Sequence, residues 1–500
     1  MKTPSRQKKE GGLLSYKKEK QPFLLMDATI NQMQAAMDSG KITALELTKL
    51  YLKRIAAYDQ QGPEIRSMLA LNPDVLEQAS ELDKERKRQG SRGPLHGIPI
   101  VIKDNYSTKD MPTTCGTKVL EDFVPLDDSA VVKKLREAGT IILGKTNLHE
   151  LALFGLTYST LGGQTRNPYD LTKTPGGSSG GTGAAVSANF AAVGTGTDTV
   201  NSIRSPASAN NLVGIRPTRG LVNLEGIMPV SFTQDNAGSL ARTVEDAAVL
   251  LEVMVDNGTA YTKSLDQHGL MGTRIGVLRN LFGREQIHEE VNQITELALE
   301  EMRRLGAQIV EITISGLDAD QLLRNMDVQR YEMKHELNRY FSTYKAPVNT
   351  FDELVETGNY DASLEPLLRE IQFLTNPLGQ SDYKERLQKI EELKKQVLKV
   401  MDEYHVDTLL YPHQKRLVVD IGEESQIDRN GIVGALTGFP TITFQGGFSR
   451  PTKTALIGIP VGIEFMGRPH QEEKLISMAF AFEQATNHRR MPPTTPALEL

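Results

Sequence analysis

Between Thr174 and Gly220 the chain reads TPGGSSGGTGAAVSANFAAVGTGTDTVNSIRSPASANNLVGIRPTRG, and no other stretch constrains the fold as much. Its Gly, Ser, Thr and Ala content is that of a flexible linker. Its middle, AAVSANFAAV, is apolar and built of small side chains. Such a segment reads as a helix packed tightly on every face inside a protein. The small polar residues on both sides of it then gather backbone amides around one site.

The rest of the sequence can supply that interior. A chain of 500 residues buries roughly three-quarters of its surface and needs no metal or disulfide to fold. From Met26 the pattern is helical: Ile30, Met33, Ala36 and Met37 fall at helical spacing, Gly40 closes the helix, and TALELTKLYLKRIAAYD repeats the period. Asn72 to Lys87 reads as a third helix, so the opening region is expected to be all helix. The character then changes. HGIPIVIKDN, TIILGK, RIGVLRN, AQIVEITI, DTLLYP, PTITFQ and PVGIEFMG are short apolar runs of the kind that form buried strands. Helical segments such as DDSAVVKKLREAG, Glu285 to Leu305 and HQEEKLISMAFAFEQAT separate or close them, which argues for an α/β layered fold. Residues 316–405 are charged, mostly helical and interrupted by Pro347, Pro366 and Pro377; they read as a helical insertion beside the core.

Composition excludes some function classes. With 57 Lys+Arg against 63 Asp+Glu the net charge is −6, which argues against nucleic acid as a partner. No apolar run approaches the ~18 residues of a membrane span. Residues 1–24, with MKTPSRQKKE at their start, read as a solvated basic tail without a signal-peptide core. The single cysteine, Cys115, fits a reducing, cytoplasmic setting and reads as an inert core thiol. No His-Glu-x-x-His or similar cluster is present, so neither a metal nor another cofactor is expected.

Three motif matches compete. Gly139 to Thr146 matches the phosphate-loop pattern literally, but Thr140, Ile141, Ile142 and Leu143 are strand formers. That segment reads as a buried strand. GGSSGG contains Gly-x-Ser-x-Gly around both Ser178 and Ser179. In an α/β-hydrolase this turn follows a strand, whereas RNPYDLTKTP before it is turn-like. His268, His335, His405 and His413 lie downstream, and none has a context that marks it as a base. The third match is the Thr174–Gly220 stretch itself.

Here the sequence resembles the amidase signature family. HGIPIVIKDN, PGGSSGG and GTDTVNSIRSPA match its core pattern in order, and GIPVGIEFMGRPHQEEKLI resembles its closing strand and helix. The resemblance runs from about residue 27 to 495. The separations are typical too: 75 residues from Lys103 to Ser178, and 24 from there to Ser202. It implies one α/β/α layered domain over residues 25–495, around a mixed, mostly parallel central sheet. It also implies a Ser–cis-Ser–Lys triad. Ser202 would be the nucleophile, Ser178 the bridging residue after a cis Gly177-Ser178 peptide, and Lys103 the base. A serine hydroxyl needs an adjacent base, and a lysine serves only when burial keeps it neutral. IPIVIK offers an apolar strand for that. The backbone N–H groups of Thr199, Val200 and Asn201, with Ser202, would hold the oxyanion. Asp198 and Arg204 would brace this turn as an ion pair, and Ser179 would hydrogen-bond within the site.

One departure stands out. The family usually carries Gly-Gly before the nucleophile, where this chain has Val200-Asn201. Val200 is expected at negative φ, and any left-handed residue there would be Asn201. The resemblance implies a cofactor-independent amide hydrolase that acts on a small-molecule amide through a Ser202 acyl-enzyme. Two other readings are a glutamine-hydrolysing subunit of a tRNA-dependent amidotransferase and a catalytically silent scaffold.

Overall fold

The computed structural model describes residues 23–498. The basic tail expected over residues 1–24 therefore lies, up to residue 22, outside the described residues. The chain opens with the helices Ile30–Asp38 and Ala44–Tyr58. Each starts at a threonine whose hydroxyl accepts an amide three residues on, while Gln32 or Glu46 reaches back to the cap. The opening region is not all helix, however. Met68–Leu71 forms a strand before the helix Val75–Gln89 begins. It is an edge strand paired antiparallel to Ile141–Thr146. Its short MLAL run lies between polar turns, and tertiary pairing alone makes it a strand.

The centre of the molecule is one eleven-stranded sheet. In spatial order its strands are Met68–Leu71, Ile141–Thr146, Pro99–Lys103, Val193–Thr197, Ala237–Ala241, Val213–Arg216, Thr441–Phe448, Pro460–Met466, Thr408–Pro412, Arg274–Leu278 and Gln308–Ile312. It is mixed, as expected, but less parallel. Four pairings are parallel and six antiparallel. The antiparallel share comes largely from its middle, where the strands from Val193–Thr197 to Thr408–Pro412 pair antiparallel in unbroken succession.

The helix expected across AAVSANFAAV covers Gly180–Ser187, and the second half of that run enters the strand Val193–Thr197. Every residue of this helix is buried. It has no polar face to turn outward, so neighbours must close on it from all sides. A Cβ on Gly181 would stand 2.1 Å from the carbonyl oxygen of Asn147, which is why glycine is needed there. The phosphate-loop match is strand: Ile141–Thr146 is wholly buried, and Lys145 pairs with Asp104 at 2.8 Å. A Cβ on Gly144 would lie 2.1 Å from Ala70 O, so this glycine serves sheet packing.

The charged segment forms the helices Ala319–Met326, Gln329–Tyr344, Phe351–Thr357, Glu365–Phe373 and Ser381–Glu403. Pro366 sits in the first turn of its helix, where a missing N–H costs nothing. These helices are tied to the sheet side by buried Glu332. Its carboxylate accepts from the Ser231 and Thr233 hydroxyls, the Thr233 amide at 3.0 Å and Tyr383 Oη at 2.8 Å. Among the described residues no helix is long and apolar enough to cross a membrane.

Candidate functional site

The strands Pro99–Lys103 and Val193–Thr197 run parallel, with Val101 opposite Gly194. Their carboxyl ends deliver Lys103 on one and the Asp198–Ile203 turn just beyond the other. Between them, the chain entering the buried helix supplies Ser178 and Ser179. The Gly177-Ser178 peptide is cis. Gly176 before it has φ of +70°, a conformation that favours glycine.

Lys103 is fully buried. Its Nζ hydrogen-bonds Ser178 Oγ at 2.7 Å and Thr197 Oγ1 at 2.8 Å. Among the described residues no carboxylate forms an ion pair with it. Burial drives its pKa down to about 7, against weaker upward pulls from Cys115, Asp198 and Asp235. The neighbouring strand carries the contrasting case: Lys145 is equally buried but has Asp104 beside it. Cys115 is buried, and burial pushes its thiol far above the ordinary range, as befits an inert thiol.

Ser202 is 6% exposed and faces a cavity of about 460 Å³. Its Oγ makes no hydrogen bond among the described residues. Its carbonyl accepts the Ser179 amide at 3.1 Å, which locks the two serine turns together. Ser179 Oγ donates to Thr197 O at 3.2 Å. Thr199, Val200, Asn201 and Ser202 bring four consecutive backbone N–H groups to the turn, and none of them has a hydrogen-bond partner among the described residues. Neither Val200 nor Asn201 has positive φ. The turn therefore forms without a left-handed residue, and Val200 and Asn201 carry their side chains without backbone strain.

Outside contacts fix the turn. Asp198 pairs with Arg204 at 3.0 Å and with Arg216 at 3.2 Å, all fully buried. Arg204 also donates to Val200 O, to Gly431 O at 2.8 Å and to Glu464 at 2.7 Å. Glu464 in turn holds His413 Nδ1 at 2.6 Å and Tyr411 Oη at 2.9 Å. Of the four downstream histidines, His413 thus belongs to the brace behind the turn. Thr199 Oγ1 donates to Asp235 at 2.6 Å.

Sequence reasoning missed Thr197, Asp235, Glu464, Arg216, His149 and Arg429. Thr197 had a weak signal, since it directly precedes Asp198. Arg216 lies in the same Gly/Ser-rich stretch but at the end of the strand Val213–Arg216, and the others are distant in sequence; only the fold brings them in. His149 donates its amide to Ser178 O at 3.0 Å. Burial lowers its ring to about 4, and its Nδ1 accepts the Leu156 amide, so it is neutral. Arg429 lines the Ser202 cavity and donates to Asn201 Oδ1 at 3.1 Å. Among the described residues no group of three or more His, Cys, Asp or Glu side chains is arranged to hold a metal ion.

A profile of the amidase family matches residues 46–476. A glutamyl-tRNA(Gln) amidotransferase subunit of Microcystis aeruginosa is 33% identical over 93% of this chain and 99% of its own length. A probable amidase of Arabidopsis thaliana is 33% identical over 94% and 92%. Among solved structures, native peptide amidase from Stenotrophomonas maltophilia superposes with a TM-score of 0.86. It is 35% identical, over 95% of this chain and 100% of that one.

Proposed function

The chain belongs to the amidase family, and from that premise we propose how its residues hydrolyse an amide. It is an amide hydrolase acting on carbon–nitrogen bonds. Ser202 Oγ attacks the amide carbonyl carbon. Its proton passes to Ser178 Oγ as the Ser178 proton passes to neutral Lys103 Nζ. The carbonyl oxygen becomes an oxyanion, held by the backbone amides of Thr199, Val200, Asn201 and Ser202. Collapse expels the nitrogen, which takes a proton back from Lys103 through Ser178 and leaves as ammonia or an amine. Water then attacks the Ser202 ester by the same proton route and releases the carboxylic acid. Asp198, Arg204 and Ser179 position these groups.

One observation carries this reading: a buried lysine without a carboxylate partner touches Ser178, beside a turn of four amides that no other described group engages. A fluorophosphonate probe should leave its adduct on the Ser202 peptide and stop amide hydrolysis. An adduct on Ser178 or Ser179 would refute the assignment. The Microcystis relative favours a second reading, in which the chain releases ammonia from glutamine inside an amidotransferase. Val200-Asn201, in place of the family's usual Gly-Gly, weighs against it. Isolation of the native protein with two stable partner chains would favour it.

A further inference from the structure

The cavity in front of Ser202 holds one guanidinium, that of Arg429, that forms no ion pair with a carboxylate among the described residues. Arg429 is half-buried in its wall. The pocket's own acids are engaged elsewhere. Asp320 meets Lys415 at 3.4 Å, Glu370 meets Arg330 at 3.0 Å, and Asp428 meets His288 at 3.3 Å. Asp327 accepts from Gln234 at 3.0 Å and Gln329 at 2.7 Å. Arg429 makes one side-chain contact, Nη1 to Asn201 Oδ1 at 3.1 Å. Burial lowers its pKa only to about 10, against the pull of Asp320, so it stays charged near neutrality.

Asn201 is the residue that stands where the family's second glycine would be, and it makes this arrangement. Its Oδ1 accepts from Arg429, while its Nδ2 donates to Gly177 O at 3.4 Å, across to the serine turn. The side chain thus fixes the guanidinium relative to the nucleophile's own turn. On the other side Gly155 leaves room for it, since a Cβ there would lie 2.7 Å from Arg429 Nη1. A half-buried, oriented guanidinium with donors left over matches a carboxylate in charge and in its forked geometry.

We infer that Arg429 is a specificity-determining residue and that the preferred substrate is an amide bearing a carboxylate. When the leaving group is ammonia, that carboxylate sits on the acyl part, as in a monoamide of a dicarboxylic acid. This rests on the amide-hydrolase reading above, and the experiment separates the two.

The test compares kcat/KM for succinamate, glutaramate and adipamate with butyramide, valeramide and hexanamide. The wild-type protein should prefer the carboxylated amide by about tenfold to a hundredfold at one chain length, the range of a charge-assisted hydrogen bond. Arg429→Met should bring that ratio to one, and Arg429→Lys should keep part of it. Asn201→Asp should also remove it, because it gives the guanidinium an internal carboxylate. A merely structural arginine would lower both substrate series together. In parallel, calorimetry measures glutarate binding to the wild-type and Arg429→Met proteins, with Arg429→Gln replacing a variant that fails to fold. Glutarate binding that depends on Arg429, without turnover of any amide, would uphold the carboxylate site and sink the hydrolase reading. Neutral amides cleaved as well as carboxylated ones, or a ratio unchanged in Arg429→Met, would overturn the inference and leave the hydrolase reading standing.

Discussion

Two buried lysines on adjacent strands show how one neighbour decides what a residue does. Lys145 has Asp104 at 2.8 Å and sits in a structural ion pair. Lys103 has only hydroxyls and a carbonyl, and burial brings its pKa to about 7. As the base it must be neutral, so protons compete with its role below that value. kcat/KM should therefore be flat above about pH 7 and fall about tenfold per unit below it. Lys103→Arg should be as damaging as Lys103→Ala, because guanidinium does not deprotonate. Substantial turnover by the Arg variant, measured as ammonia release, would remove Lys103 from the mechanism. Burial of Lys103 was legible in IPIVIK, since an apolar strand predicts it. The absence of a carboxylate was not, because Asp104 is next in sequence yet turns to the other lysine. Val200→Gly with Asn201→Gly should cost about 0.5–1 kcal/mol per site in chain entropy. It should also admit bulkier acyl groups, as read from a series of amides of increasing size. An unchanged size profile would mean that these side chains do not shape the cavity.

The turn from Asp198 to Arg204 is the element on which the proposed chemistry rests, and it is braced rather than intrinsically rigid. Burial pushes Asp198 up, but Arg204 and Arg216 more than offset this and hold its carboxyl well below the usual range. Asp198→Asn would leave two buried guanidiniums short of a counter-charge, a loss of about 3–5 kcal/mol. Chemical denaturation should show that loss at neutral pH. Because the folded pKa is depressed, the contribution is complete above the unfolded value of about 3.9 and fades as pH falls below it. The difference between wild type and variant should therefore shrink in acid. A difference that grows there would contradict the pairing. The Asp198–Arg204 pair could be anticipated from their spacing around the turn. Arg216 and Glu464 could not, since their strands reach the turn only across the assembled sheet. The strands VGTGT, VGIR and AGSLA were equally hidden. Their small residues have low strand propensity, and close packing on both faces makes them strands.

At the scale of the molecule, the Ser202 cavity is closed from two sides. The sheet side contributes Thr199 to Ser202, and the helical segment contributes residues such as Asp327, Arg330 and Met333. Glu332 ties the two together. Glu332→Ala would leave buried Ser231 and Tyr383 hydroxyls without their acceptor, at about 1–3 kcal/mol each. The melting temperature should fall, and KM should rise more than kcat drops, because the far wall loosens while the serine turns stay in place. An unchanged KM would show that these helices do not bound the substrate. The sequence alone determined the α/β layering, through apolar runs separated by amphipathic helices. Its resemblance to the amidase family, carried by short motifs in order, also marked Lys103, Ser178 and Ser202 as candidates. These are local patterns, in which period and spacing are carried by neighbouring residues. The strand order, the antiparallel share of the sheet, the brace through Arg216 and Glu464, and the guanidinium of Arg429 beside Asn201 emerge with the assembled fold. Those depend on contacts between segments far apart in the chain. There, packing and the pairing of buried charges choose among partners that local sequence leaves equivalent.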